Sequence, residues 1–218
     1  MWRQRHPSQR EKGFTIVELM IATSVFAVVL LVATLGILQI TRVYFKGVTE
    51  TTTQNVARSV MDTVAQAVQF SGGNVLPTIA GTATPTSPRA FCIGNQRFSY
   101  DLGYQLKDSS PNVTNHQAYH VLAVDNYAGC TQTAAQSLNT AALASGSREL
   151  ISPNMRLTKF TVESQGDNLY KITIRIAYGD DDLLSNPTDP NAICKGVRAG
   201  TQFCSISELS TIVVKRVQ

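Results

Sequence analysis

One carboxylate in the first forty residues sits where a carboxylate is expensive. Glu18 stands at the head of Leu19–Leu38, a run with no charged residue, and five positions after Gly13. Ionised side chains are rare inside apolar segments and persist where a cation or hydrogen-bond donors meet them. Upstream lie Arg3, Arg5, Arg10 and Lys12 against the single acid Glu11. This arrangement could do one kind of chemistry: it could pair a fixed anion with a positive group at the edge of an apolar phase.

The run itself limits the readings. At about 1.5 Å per helical residue, Leu19–Leu38 gives roughly 30 Å, the thickness of a bilayer's hydrocarbon core. The apolar core of a secretory signal is shorter, no A-x-A site follows close behind the run, and no Cys near its end suggests a lipoprotein. The upstream cations predict that the N-terminus stays in the cytoplasm and the chain beyond residue 38 lies outside. A plain anchor explains all of this except Glu18.

Other candidate chemistry is thinner. Cys92, Cys130, Cys194 and Cys204 contain no CxxC pair and have no neighbouring His, so zinc spacing is absent. Beyond a membrane anchor, four cysteines read as two disulfides. Three connectivities are open; the short Cys194–Cys204 loop, worth about 2–3 kcal/mol if closed, favours pairing there and leaves Cys92 with Cys130. Asp180, Asp181 and Asp182, with Asn186, Asp189 and Asn191, could offer oxygens to calcium, but the EF-hand spacing is missing and a solvated turn is the competing reading. His116 and His120 would make a metal pair on a helix, yet their surroundings read as loop and strand. With no phosphate loop, no G-x-S-x-G and no nucleophile–base constellation, an enzyme is not expected. The formal charge is +4, and a net +3 of it falls on the first thirteen residues, so nucleic acid is not expected as the main partner.

The segment Lys12-Gly13-Phe14-Thr15-Ile16-Val17-Glu18-Leu19 resembles the class III signal of the type IV pilin superfamily. The resemblance rests on the basic leader, Gly13, Phe14, Glu18 and the uncharged run, and covers about forty residues. It implies that a prepilin peptidase cuts between Gly13 and Phe14, that Phe14 becomes N-methylated, and that Glu18 meets the new amine of its own or a neighbouring subunit during assembly. It also implies partners: the cytoplasmic membrane first, then other pilins through their N-terminal helices. The segment Asn55–Gly73 and the stretch Phe203–Thr211 are loosely similar to PilW-type minor pilins and to J-type pseudopilins of type II secretion. The expected function is a minor pilin that primes or caps a type IV pilus. A J-type pseudopilin is the alternative, followed by a major pilin and then a membrane-anchored extracytoplasmic enzyme.

Elements must position these groups. Beyond Arg42, Val56, Val60, Val64 and Val68 recur four apart, so the helix is expected to run from Phe14 to about Phe70, with Gly36 and Gly47 as weak points and Ser71-Gly72-Gly73 as the stop. The expected division is leader 1–13, helix 14–70 and outer domain 71–218. Asn74–Pro88, rich in Pro, Thr and Gly, reads as an exposed connection. Alternation from Phe98 to Leu106 predicts one strand, Tyr119–Val124 another, and Thr211–Val217 the last. Met155–Val162 and Ile172–Tyr178 flank Gln165-Gly166-Asp167-Asn168 as a hairpin. Ala134–Ala144 is open between a short helix and a loop. The sum is an α+β fold, one long helix packed on an antiparallel sheet.

Overall fold

The computed structural model describes residues 13–70, 72–76, 89–107, 110–112, 115–131, 133–196 and 200–217. Residues 1–12 of the expected leader and most of the expected connection after residue 76 lie outside the described residues. The chain divides into two compact units, 1–43 and 44–218.

The first unit is helical from Ile16, the start of helix α1 (Ile16–Phe70), and every described side chain in it is exposed. Its Val, Ile and Thr content lowers helix propensity in water, but in lipid a helix satisfies its backbone groups internally. The hydroxyls follow the same rule. Thr23, Ser24, Thr34 and Thr41 each donate to a carbonyl three or four residues back, at 2.7–3.0 Å. No polar group of those four side chains is left to face an apolar phase unpaired.

In the second unit α1 buries one face: Thr49, Thr53, Ala57, Val60, Met61, Val64, Ala67 and Val68. This is the expected valine stripe, with Val56 half-buried at its edge. The helix ends at Phe70, and the chain turns at Gly73 (φ +128°), where a Cβ would lie 2.7 Å from the Gly94 Cα. Only glycine fits that approach.

Ten strands follow among the described residues: β1 (Val75–Leu76), β2 (Arg89–Ile93), β3 (Gln96–Tyr100), β4 (Gln105–Leu106), β5 (Gln117–Ala118), β6 (Leu122–Asn126), β7 (Arg148–Glu149), β8 (Met155–Gly166), β9 (Leu169–Tyr178) and β10 (Ser205–Val214). They form two sheets, ordered β1-β2-β3-β6-β7 and β10-β9-β8-β4-β5. The first is antiparallel throughout; the second carries one parallel pair, β4 with β5. The hairpin is β8–β9, turning at Asp167-Asn168, where both residues have positive φ (45° and 61°). Asp and Asn tolerate that region, and the resulting twist suits two antiparallel strands.

Several expected elements shift, each for a reason that lies elsewhere in the chain. The stretch Phe98–Leu106 is two strands in different sheets. At Gly103 (φ +85°) a Cβ would meet the Thr188 Cα at 2.9 Å, and the Gly103 N–H donates to Leu157 O. The strand expected from Tyr119 begins at Leu122, because the Val121 and Leu122 N–H groups donate to the Glu149 carboxylate. The last strand is Ser205–Val214, not Thr211–Val217: β9 pairs with all ten of its residues. Residues 134–144 form no helix. Gln136 Oε1 accepts from Ala144 N and Ser147 Oγ, and His120 N donates to Leu138 O, which holds an irregular loop.

The core packs the aliphatic face of α1 with both sheets, and aromatic edges join the sheets to each other. Phe160 of β8 meets Phe91 of β2 at 5.9 Å and Tyr100 of β3 at 4.9 Å, both near-perpendicular, and Phe91 lies 5.7 Å from Phe98. Edge-to-face pairs of this kind add to area burial. Phe160→Ala is expected to cost about 3–5 kcal/mol, read as a lower urea midpoint with the disulfides intact.

Asp101, where the chain leaves β3, is buried, and burial pushes its carboxyl up to about 7, against opposing contributions from the Leu102 N–H and Arg89. A carboxyl raised in the fold binds its proton more tightly folded than unfolded. Its stability contribution is therefore intact below about 4 and lost as pH rises through about 7. Asp101→Asn should flatten that fall, checked by melting temperatures between pH 4 and pH 8.

Candidate assembly site at the helix start

The first turn of α1 is built by two side chains that serve one another. Thr15 precedes the helix and Glu18 lies three residues on. The Thr15 N–H and hydroxyl both donate to Glu18 Oε2 at 2.9 Å, and the Glu18 N–H donates to Thr15 Oγ1 at 3.2 Å. This is a capping box: each side chain satisfies a backbone donor that the helix start leaves open. The carboxylate also lies at the positive end of the helix dipole. Glu18 Oε1 makes no hydrogen bond among the described residues. One carboxylate oxygen is therefore used in holding the helix start, and the other is available to a cation.

Phe14, adjacent to Thr15, is 88% exposed. A cut between Gly13 and Phe14 would create an ammonium one residue from an N–H that already contacts Glu18. Beyond it α1 presents exposed Ile16, Val17, Leu19, Met20, Ile21, Val25 and Phe26, continuing in kind to Ile40. Such a surface needs lipid or other helices around it. Thr15 was not singled out in the sequence, although T-x-x-E ahead of an apolar run is the signature of this cap.

The remaining candidates lie in the outer unit. Cys92 pairs with Cys130 and Cys194 with Cys204. The first bond ties β2 to the turn after β6; the second closes the loop that leads into β10. Of the aspartates near residue 180, Asp180 and Asp181 face basic side chains. Asp180 Oδ1 accepts from Gln105 Nε2 at 3.1 Å and pairs with Lys107 at 3.4 Å; Asp181 pairs with the fully buried Arg156 at 2.6 Å and with His116 Nδ1 at 3.2 Å. Among the described residues no three His, Cys, Asp or Glu side chains converge as a metal site. His116 and His120 serve separate acids, His120 lying 3.4 Å from Glu149.

Removing the Thr15 hydroxyl isolates the cap. Thr15→Ala should destabilise the first turn by about 1 kcal/mol, and Thr15→Ser should not. Amide exchange over residues 16–20 in detergent micelles would read this as roughly fivefold faster exchange in the alanine variant alone.

The family model of the prokaryotic N-terminal methylation motif matches residues 8–34, the span that holds Gly13, Phe14, the capping box and most of the uncharged run. No curated protein and no solved structure matches the chain. The motif and the fold agree on one class: this chain carries a prepilin-type, class III N-terminal signal on a pilin-like α+β architecture.

Proposed function

We propose that the chain is a minor pilin of a type IV pilus, and that it primes or caps the filament through its N-terminal helix. The carrying observation is the placement of Glu18: five residues after Gly13, at the head of an uncharged, exposed helix, with one carboxylate oxygen unoccupied. In this reading a prepilin peptidase cuts after Gly13, Phe14 is N-methylated, and the ammonium of Phe14 meets Glu18 Oε1 as the helix passes from lipid into a bundle of pilin helices. Pairing counts heavily there, because an anion in an apolar medium has no water to solvate it. The upstream cations favour an outer domain beyond the cytoplasmic membrane, and the two disulfides fit an oxidising compartment. The role is structural rather than catalytic. The minor assignment draws on the loose likeness of Asn55–Gly73 and Phe203–Thr211 to PilW-type subunits; a J-type pseudopilin shares that likeness.

Three outcomes test the reading. The protein extracted from membranes should begin at Phe14, with its mass raised by one methyl group; an N-terminus upstream of Gly13, in cells that process other prepilins, would overturn it. Deletion should abolish surface filaments, whereas accumulation of exported proteins in the periplasm would identify a pseudopilin instead. Glu18→Gln keeps a side chain able to complete the cap but removes its charge. It should preserve amide protection at residues 16–20 and still lower incorporation into filaments by tenfold or so, about 1.4 kcal/mol. Normal incorporation of that variant would remove the ion pair from the mechanism.

A further inference from the structure

The outer unit carries an exposed aromatic cluster at one end. Phe45 and Phe203 meet at 5.6 Å between ring centroids with their planes tilted by 50°, Tyr44 lies 6.0 Å from Phe45, and all three are exposed, Phe45 by 41% and Phe203 by 42%. The place is tightly built. Phe203 ends a short 3-10 turn (Thr201–Phe203) and precedes Cys204, which is bonded to Cys194. Lys46 Nζ donates to Cys204 O at 2.7 Å, so the helix and the disulfide-bounded loop are pinned together beside the rings. Exposed Ile193 flanks the other half of the same disulfide. Exposed aromatics fixed by a disulfide and a lysine are not loose side chains.

Their position along the chain suggests what covers them. Tyr44 follows Leu38 by six helical residues, about 9 Å of helix. The polar layer of a bilayer adds roughly 5–8 Å on each side of its hydrocarbon core. Helical side chains lean toward the N-terminus of their helix, so the rings of Tyr44 and Phe45 reach back along it. Just past β10, Arg216 N donates to Gln69 O near the far end of the helix. The aromatic cluster is therefore at the end of the unit nearest in sequence to the apolar run. Lys46 borders it and is paired with Glu50 at 3.1 Å. Aromatic bodies with flanking cations are the side-chain chemistry of the headgroup layer.

We propose that Tyr44, Phe45 and Phe203 form a plate that seats the outer unit on the phospholipid headgroup layer while the subunit is anchored and not yet assembled. The inference rests on the membrane-anchored reading above. It gives the Cys194–Cys204 loop a function: to hold Phe203 level with Phe45. Leaving the membrane for a filament then requires the plate to detach.

The test uses the full mature chain in vesicles of phosphatidylethanolamine and phosphatidylglycerol containing a headgroup-nitroxide lipid. The single tryptophan of the sequence, Trp2, lies in the leader that the mature chain lacks, so any introduced indole stands alone. Phe203→Trp and, separately, Tyr44→Trp are compared with Ile212→Trp, an exposed position on β10 toward its other end. The plate predicts a roughly twofold loss of emission at positions 203 and 44 and less than about a tenth at 212. Equal loss at all three positions overturns it. Loss that disappears when the protein is diluted into excess lipid also overturns it, in favour of a second copy of the chain as the occupant. Flotation with the vesicles reads the anchor separately: a chain that floats without quenching sinks the plate alone, and a chain that does not float sinks both. Resistance of the cysteines to alkylation confirms that each variant keeps its disulfides.

Discussion

A carboxylate at the head of an apolar helix has to be satisfied by something other than water, and the Thr15–Glu18 cap is how this chain begins to satisfy it. The cap does two jobs with one acid. It closes the backbone donors that every helix start exposes, and it orients the carboxylate so that one oxygen is spent locally and the other is not. A charge held this way is poised rather than buried. In the proposed reading its pairing partner is the Phe14 amine, which exists only once the Gly13–Phe14 bond is cut, so processing and assembly would be linked through a single group.

The rest of the helix serves the same constraint by omission. From Leu19 to Leu38 nothing else is charged, and Thr23, Ser24 and Thr34 turn their hydroxyls back onto the backbone. Beyond Arg42 the helix changes solvent. Its buried face becomes Thr49, Thr53, Ala57, Val60, Val64 and Val68, small or β-branched groups that let a sheet approach closely. One helix thus carries two surfaces: an exposed one that lipid or neighbouring helices must cover, and an inward one completed by the chain's own sheets.

The outer unit is held in layers of different chemistry. Phe91, Phe98, Tyr100 and Phe160 lock the two sheets together through ring edges. Two buried arginines sit outside that cluster, and both are paired. Arg97 grips Asp125 through two nitrogens, stacks on Tyr127 at 4.0 Å and donates to Ala134 O. Arg156 reaches Gly103 O, Gly179 O and Asp181. Both arginines bind stretches that have no regular structure of their own, which is how long loops are held without strands. The disulfides act in the same way at the periphery, and the Cys194–Cys204 bond fixes the loop whose aromatic meets Phe45.

Local order was legible in the amino-acid sequence because its causes are local. Glu18 five residues after Gly13, the uncharged run, the valines four apart and Asp167-Asn168 between alternating segments each specify a feature through neighbours no more than a few positions away. The long helix and the β8–β9 hairpin follow from them. What the sequence left undecided depends on residues far along the chain. Phe98–Leu106 alternates like one strand, but Gly103 must pass Thr188 and bond Leu157, so the strand divides between sheets. The start of β6 depends on Glu149, the length of β10 on β9, and the aspartates at 180 and 181 on Arg156, Lys107 and His116. Periodicity records which face of a segment is apolar; it carries no record of which distant backbone or charge completes that face. That pairing is decided only when the tertiary structure closes.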